Sequence, residues 1–155
     1  MSQRPETKAI RIQTAKTEQK EHSTPLFLTS SFTYESAEDM AAAFADDSLE
    51  VNIYSRFSNP TVDEFINKIA VLEGAEDGVA TGTGMAAIFG TFMTFLSKGD
   101  HIISASAVFG STHTILTKYL PKWGIEFSYF DMNKPESIAA LIKPTTKMLY
   151  VETPS

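Results

Sequence analysis

The chain has 155 residues, 43% of them hydrophobic and 11% aromatic, enough for one ordinary core and too few for two well-formed domains. Eleven Phe and five Tyr beside a 21% charged fraction exclude a disordered chain. The net charge of −6 offers no broad basic face for a phosphate backbone, so nucleic acid is not an expected partner, and the lack of Cys excludes disulfides, thiolate zinc sites and a cysteine nucleophile.

Residues 1–24 are polar and charged, with no apolar run to act as a signal peptide or span a bilayer. They read as an arm or loose helix whose role comes from a partner surface, in a cytoplasmic protein without a membrane. Residues 25–34 (PLFLTSSFTY) are extended in character, and Ser36-Ala37-Glu38-Asp39 resembles a capping box opening a short helix that ends near Asp46-Asp47. Residues 48–58 have no helical period but hold Val51, Ile53, Tyr54, Arg56 and Phe57, too many large side chains for a featureless linker. An ordered loop is expected there.

Asn59 is a good N-cap and Pro60 suits the first helical position; Val62, Phe65, Ile66, Ile69 and Leu72 then form an apolar stripe ending at Gly74. A short strand is predicted over 78–81, then a helix from Gly84 to Leu96 so apolar all round that it should be buried between other elements. Strand 101–105 (HIISA), helix 112–120, strand 125–130, helix 135–142 and strand 147–152 complete the pattern. Alternation at this spacing predicts an α/β class with a mostly parallel sheet and helices on both faces.

Three stretches can carry chemistry. Thr81-Gly82-Thr83-Gly84-Met85-Ala86-Ala87 runs into a helix start, where glycines admit a phosphate and first-turn amides face it; the same glycines serve equally as a tight turn. The stretch also fits Gly-x-Gly-x-x-Ala, but no acidic residue closes the following strand to hold a ribose, and there is no Gly-Lys-Ser/Thr run for a triphosphate loop. In Tyr54-Ser55-Arg56-Phe57-Ser58-Asn59-Pro60-Thr61, Arg56 is either an anion clamp helped by a tyrosine hydroxyl or a solvated arginine beside a capped helix. Val108-Phe109-Gly110-Ser111-Thr112 lies at a strand's carboxyl end, where Phe109 can lie on a planar ring or merely close the core. His22, His101 and His113 have no metal-ligand spacing, so no metal is expected.

In this order, YSRFSNPT, TGTGMAAI, VFGST and a strand ending YVETPS make the chain resemble the amino-terminal part of the Cys/Met-metabolism (trans-sulfuration) family of pyridoxal-phosphate enzymes. The resemblance implies the cofactor pyridoxal 5'-phosphate and an aminotransferase-like (fold type I) large domain. Residues 1–58 would be an arm and subunit-contacting loop, and 59–155 the first, incomplete part of the cofactor-binding domain. Tyr54 and Arg56 would reach the phosphate bound in a neighbouring subunit, whose Gly84 and Met85 amides hold it from within; the assembly would be a homo-oligomer, a dimer of dimers. Phe109 would stack on the pyridine ring.

Most lyases of the family carry tyrosine at the place of Phe109, and phenylalanine there points to the homoserine sulfhydrylases. The implied reaction is sulfur transfer to a small amino-acid substrate, an O-acyl-homoserine, giving homocysteine by γ-replacement. Cystathionine γ-synthase and methionine γ-lyase chemistry are the alternatives within the family, and a non-enzymatic phosphate- or nucleotide-binding module the alternative outside it. No catalytic residue is assigned in this chain: the Schiff-base lysine and the aspartate paired with the pyridine nitrogen are expected beyond Ser155. Glu152 matches an acidic family position just after a strand, with little expectation of direct cofactor contact.

Overall fold

The computed structural model describes residues 3–46, 49 and 51–154, which fall into two compact units, Met1–Ala80 and Thr81–Ser155. In the first unit the buried hydrophobic residues are all alanines, Ala9, Ala43 and Ala70. Both apolar core clusters among the described residues belong to the second unit.

The first unit holds three helices. Helix α1 (Pro5–Arg11) has its proline in the first turn, where a missing N–H costs nothing. Helix α2 (Ala37–Ala45) is opened by the expected box: Ser36 Oγ accepts from the Asp39 amide at 3.0 Å and donates to the Asp39 carboxylate at 2.7 Å. Helix α3 (Pro60–Glu73) starts at Asn59, whose Oδ1 accepts from the Thr61 amide, and stops at Gly74, whose φ of 67° is the left-handed conformation glycine tolerates best.

The arm is held within its own unit: α1 packs on α3 and the following segment is tied to Glu64, whose carboxylate accepts from the Thr14 amide at 2.7 Å and from the Thr24 hydroxyl, and pairs with Lys68 at 2.6 Å. Helix α3 is where the period places it, but it is its Glu64 and Ala70 side that is buried, while Val62, Phe65, Ile69 and Leu72 stay exposed. The arm covers the polar flank because Glu64 supplies the acceptors its backbone and hydroxyls need. The predicted strand at 78–81 does not form; those residues are irregular.

The second unit is a three-stranded parallel sheet in the order β2-β1-β3, from β1 (His101–Ala105), β2 (Glu126–Phe130) and β3 (Thr146–Tyr150). Strand β1 is central and wholly buried, as the middle strand of a parallel sheet between two helical layers should be. Ile102 faces a cluster with Phe92, Leu96, Ile115, Leu116, Leu120 and Ile125. Ile103 faces the other side, with Ala105, Phe130 and the flanking Ile138 and Leu141; the pleat divides the two layers.

Helix α4 (Gly84–Phe95) supplies Phe92 to the first layer and leaves Phe89, Met93 and Phe95 exposed, so within this chain it is covered on one side only. The helix expected over 112–120 begins at Gly110 as α5 (Gly110–Thr114) and runs on through a π turn at Ile115–Tyr119 and a 3-10 turn at Leu120–Trp123. The predicted 135–142 helix is a 3-10 turn leading into α6 (Ile138–Leu141). Strand β3 stops at Tyr150, which leaves Glu152 on the loop beyond it.

His101, fully buried, sits between two hydroxyls, Nδ1 2.8 Å from Thr146 Oγ1 and Nε2 2.9 Å from Ser128 Oγ, and so ties β1 to both neighbours. Burial holds its pKa below the ordinary value, with Lys143 adding to the effect and Glu126 opposing it.

Candidate functional site

In an open parallel sheet the loops at the carboxyl ends of the strands form the ligand crevice. Here α4 runs back toward the start of β1, so its first turn lies at the carboxyl end of the strand. The β1–α5 loop and the residues after β3 lie at the same edge. Gly84, Met85, Phe109 and Glu152 thus share one edge of the second unit, with Met85 and Val108 packed on the same core cluster.

Thr83 caps α4, its hydroxyl oxygen accepting from the Ala86 amide at 3.1 Å. Among the described residues no acceptor meets the Gly84 and Met85 amides, as expected for first-turn donors. Neither Gly82 nor Gly84 has a positive φ, and a Cβ added to either would meet nothing within 4 Å. Neither backbone angle nor packing explains the glycines. The open space leaves room for a group to approach those amides closely, and the residues fit an anionic phosphate.

Phe109 occupies the N-cap of α5 with its ring 63% exposed at the sheet edge. It does not close the core. Its amide donates to Glu152 Oε2 at 2.6 Å, while Oε1 accepts from the Thr112 hydroxyl at 2.7 Å and the Tyr150 hydroxyl at 2.9 Å. Burial pushes the Glu152 carboxyl up, but the bonds from Phe109, Thr112 and Tyr150 outweigh it and hold the group below its ordinary value. Tyr150, half-buried and donating to that carboxylate, is pushed up to about 12, and its ring meets Phe92 edge-on at 4.9 Å. The Glu152 network is what sequence reading missed. Its one sequence signal is an acid just past the end of a strand, and two of its three partners, Phe109 and Thr112, lie some forty residues earlier.

Tyr54 and Arg56 belong to the first unit. Tyr54 makes an isolated antiparallel bridge with Ser31, and the turn that follows carries the Arg56 guanidinium 4.5 Å from the Phe57 ring centre and 5.5 Å from that of Tyr54. Arg56 makes no ion pair among the described residues. An open groove of about 460 Å³ lies here, lined by Tyr34, Phe44, Tyr54 and Arg56 among others. Asn59 secures the turn, its side-chain amide donating to the Phe27 carbonyl at 2.9 Å and to Ser55 Oγ at 3.0 Å.

The family model for Cys/Met metabolism PLP-dependent enzymes matches residues 6–155. An O-succinylhomoserine sulfhydrylase of Pseudomonas aeruginosa is 43% identical over 150 residues, which are 97% of this chain and 37% of that protein. An L-methionine gamma-lyase of Porphyromonas gingivalis is 35% identical over 132 residues, 85% of this chain and 33% of that protein. Among solved structures, one from Campylobacter jejuni assigned as an O-acetylhomoserine (thiol)-lyase, and holding N'-pyridoxyl-lysine-5'-monophosphate, superposes with a TM-score of 0.85 at 31% identity over 96% of this chain and 36% of that one. Cystathionine gamma-lyase from Lactobacillus plantarum gives a TM-score of 0.81 at 30% identity over 99% of this chain and 38% of that one. The chain spans about a third of the length of these relatives. No helix among the described residues is long and apolar enough to cross a membrane.

Proposed function

This chain belongs to the Cys/Met-metabolism family of pyridoxal-phosphate-dependent enzymes, and from that premise we propose that the protein carrying it transfers sulfur to an O-acyl-homoserine, giving homocysteine by γ-replacement. The observation that carries the reading is Phe109, an exposed aromatic at the sheet edge shared with the open Gly84 and Met85 amides, where most family lyases carry tyrosine. When bound, pyridoxal phosphate supplies an electron sink for the amino acid joined to it.

The chain's own residues do the holding. Gly84 and Met85 amides donate to the phosphate, and Phe109 covers one face of the ring while leaving it no phenol. Tyr54 and Arg56 reach the phosphate of a neighbouring subunit, Arg56 through a planar fork that matches two phosphate oxygens. Residues 1–58 then work as the arm and contact loop, and 59–155 as the first part of the cofactor domain. A site divided in this way requires an intimate dimer, and we take two such dimers to form a homotetramer in the cytoplasm.

The test is to express the full-length protein, record its visible cofactor band, and assay O-acetyl- and O-succinyl-homoserine with sulfide. Homocysteine is the expected product. A protein with no cofactor band would overturn the whole reading. One with the band that releases thiol from methionine, and makes no homocysteine from either ester, would replace it with the methionine γ-lyase reaction.

A further inference from the structure

We propose that Glu152 is a positioning residue whose carboxylate holds the loop that presents Phe109 to the cofactor ring; this rests on the function proposed above. A helix start normally has Ser, Thr, Asp or Asn at its N-cap to satisfy free backbone donors. Helix α5 has phenylalanine there, and no side chain of its own caps it. An aromatic ring presented to a ligand cannot also cap, so the acceptor has to come from another element. Glu152 supplies it from the loop after β3, accepting from the Phe109 amide through one oxygen and from the Thr112 and Tyr150 hydroxyls through the other.

These bonds fix the loop at two points, its last residue and the helix turn just inside it. Tyr150 anchors the carboxylate in turn, since its ring rests on Phe92 in the core. The exposed Phe109 ring has no comparable support of its own. Its aim is therefore set by the backbone to which it is attached, and that backbone is held by Glu152. The carboxylate's three bonds go to Phe109, Thr112 and Tyr150. It acts through Phe109.

The experiment compares wild type, Glu152→Ala and Glu152→Gln in the full-length protein with two readouts. The first needs no cofactor: hydrogen exchange of the peptide spanning 106–112 in the apoprotein, with the β1 peptide as control. Glu152→Ala is expected to speed exchange in 106–112 at least tenfold and leave β1 unchanged, and Glu152→Gln, which keeps one acceptor oxygen, to recover part of the protection. The second is cofactor affinity and circular dichroism in the cofactor band: Glu152→Ala should weaken affinity about tenfold and diminish the band, with Glu152→Gln again between. Unchanged exchange in 106–112, or equal acceleration in β1, would overturn the positioning role even if the wild type binds pyridoxal phosphate normally. The expected exchange pattern in a wild type that takes up no pyridoxal phosphate would overturn the functional reading and leave the hold on the loop established.

Discussion

Gly84 begins α4 with an ordinary backbone angle and empty space where a Cβ would stand. Alanine is the better helix former, so Gly84→Ala should leave the melting temperature unchanged or raise it, within about 1 kcal/mol. If the phosphate is held as proposed, cofactor affinity of the full-length protein should nevertheless fall at least tenfold, because the methyl group would stand where the phosphate comes close. A titration showing unchanged affinity would remove the phosphate from this turn. His101 permits a second test. Its folded pKa lies below the ordinary 6.5 because burial disfavours the charged ring, so below pH 6.5 the unfolded chain takes up a proton that the folded one refuses. Its contribution to stability is thus complete above pH 6.5 and is lost as the pH falls from there through the lower folded value. Thermal melts between pH 8 and 5 should show a slope that flattens in His101→Gln; an identical slope in both proteins would assign the dependence elsewhere. Nothing in the spacing of the histidines marks His101 as the buried tie between strands, since its partners Ser128 and Thr146 come from two other elements.

At the scale of elements, the clasp between Glu64 and the arm has a pH signature of its own. Burial would raise the Glu64 carboxyl, but the bonds from Lys68, Thr24 and Thr14 overcome it and bring its pKa to about 2. The folded value is depressed, so the clasp is at full strength above the ordinary 4.5 and is lost as the pH falls from 4.5 toward 2. Glu64→Ala strands the Thr14 amide and Lys68 and should cost about 2–3 kcal/mol. At neutral pH it should also open residues 12–24 to protease ahead of α3; cleavage no faster than in wild type would show that α1 packing alone holds the arm. Local signals made the elements legible: the Asn59 and Ser36 caps and the Gly74 stop. Which face of a helix is buried was less so. The stripe Val62, Phe65, Ile69 and Leu72 predicts the inward side of α3, yet Glu64 faces inward, because periodicity records that a face needs covering and not which surface covers it. The Glu152 network stayed hidden for a related reason. Hydrogen bonds across parallel strands join residues whose distance in sequence is set by the crossover and leaves no local pattern.

For the molecule as a whole, large apolar side chains stand exposed in both units, among them Phe57, Phe65, Phe95 and Phe109. The 155-residue chain alone should therefore bind a hydrophobic dye and sediment above its monomer mass of 17.1 kDa. A monodisperse, dye-negative monomer would show that these residues need no covering. The strand order β2-β1-β3 has a further consequence during synthesis. Strand β1 can pair with β2 as soon as Phe130 has emerged, but its other edge stays bare until Tyr150 follows, about one to four seconds later at ordinary elongation rates. That edge belongs to the most buried strand of the sheet, and a bare edge is a template for pairing with another nascent chain. On a crowded polysome the demand for chaperones should fall in that interval, and slowing translation between the codons for Phe130 and Thr146 should lower the yield of soluble protein.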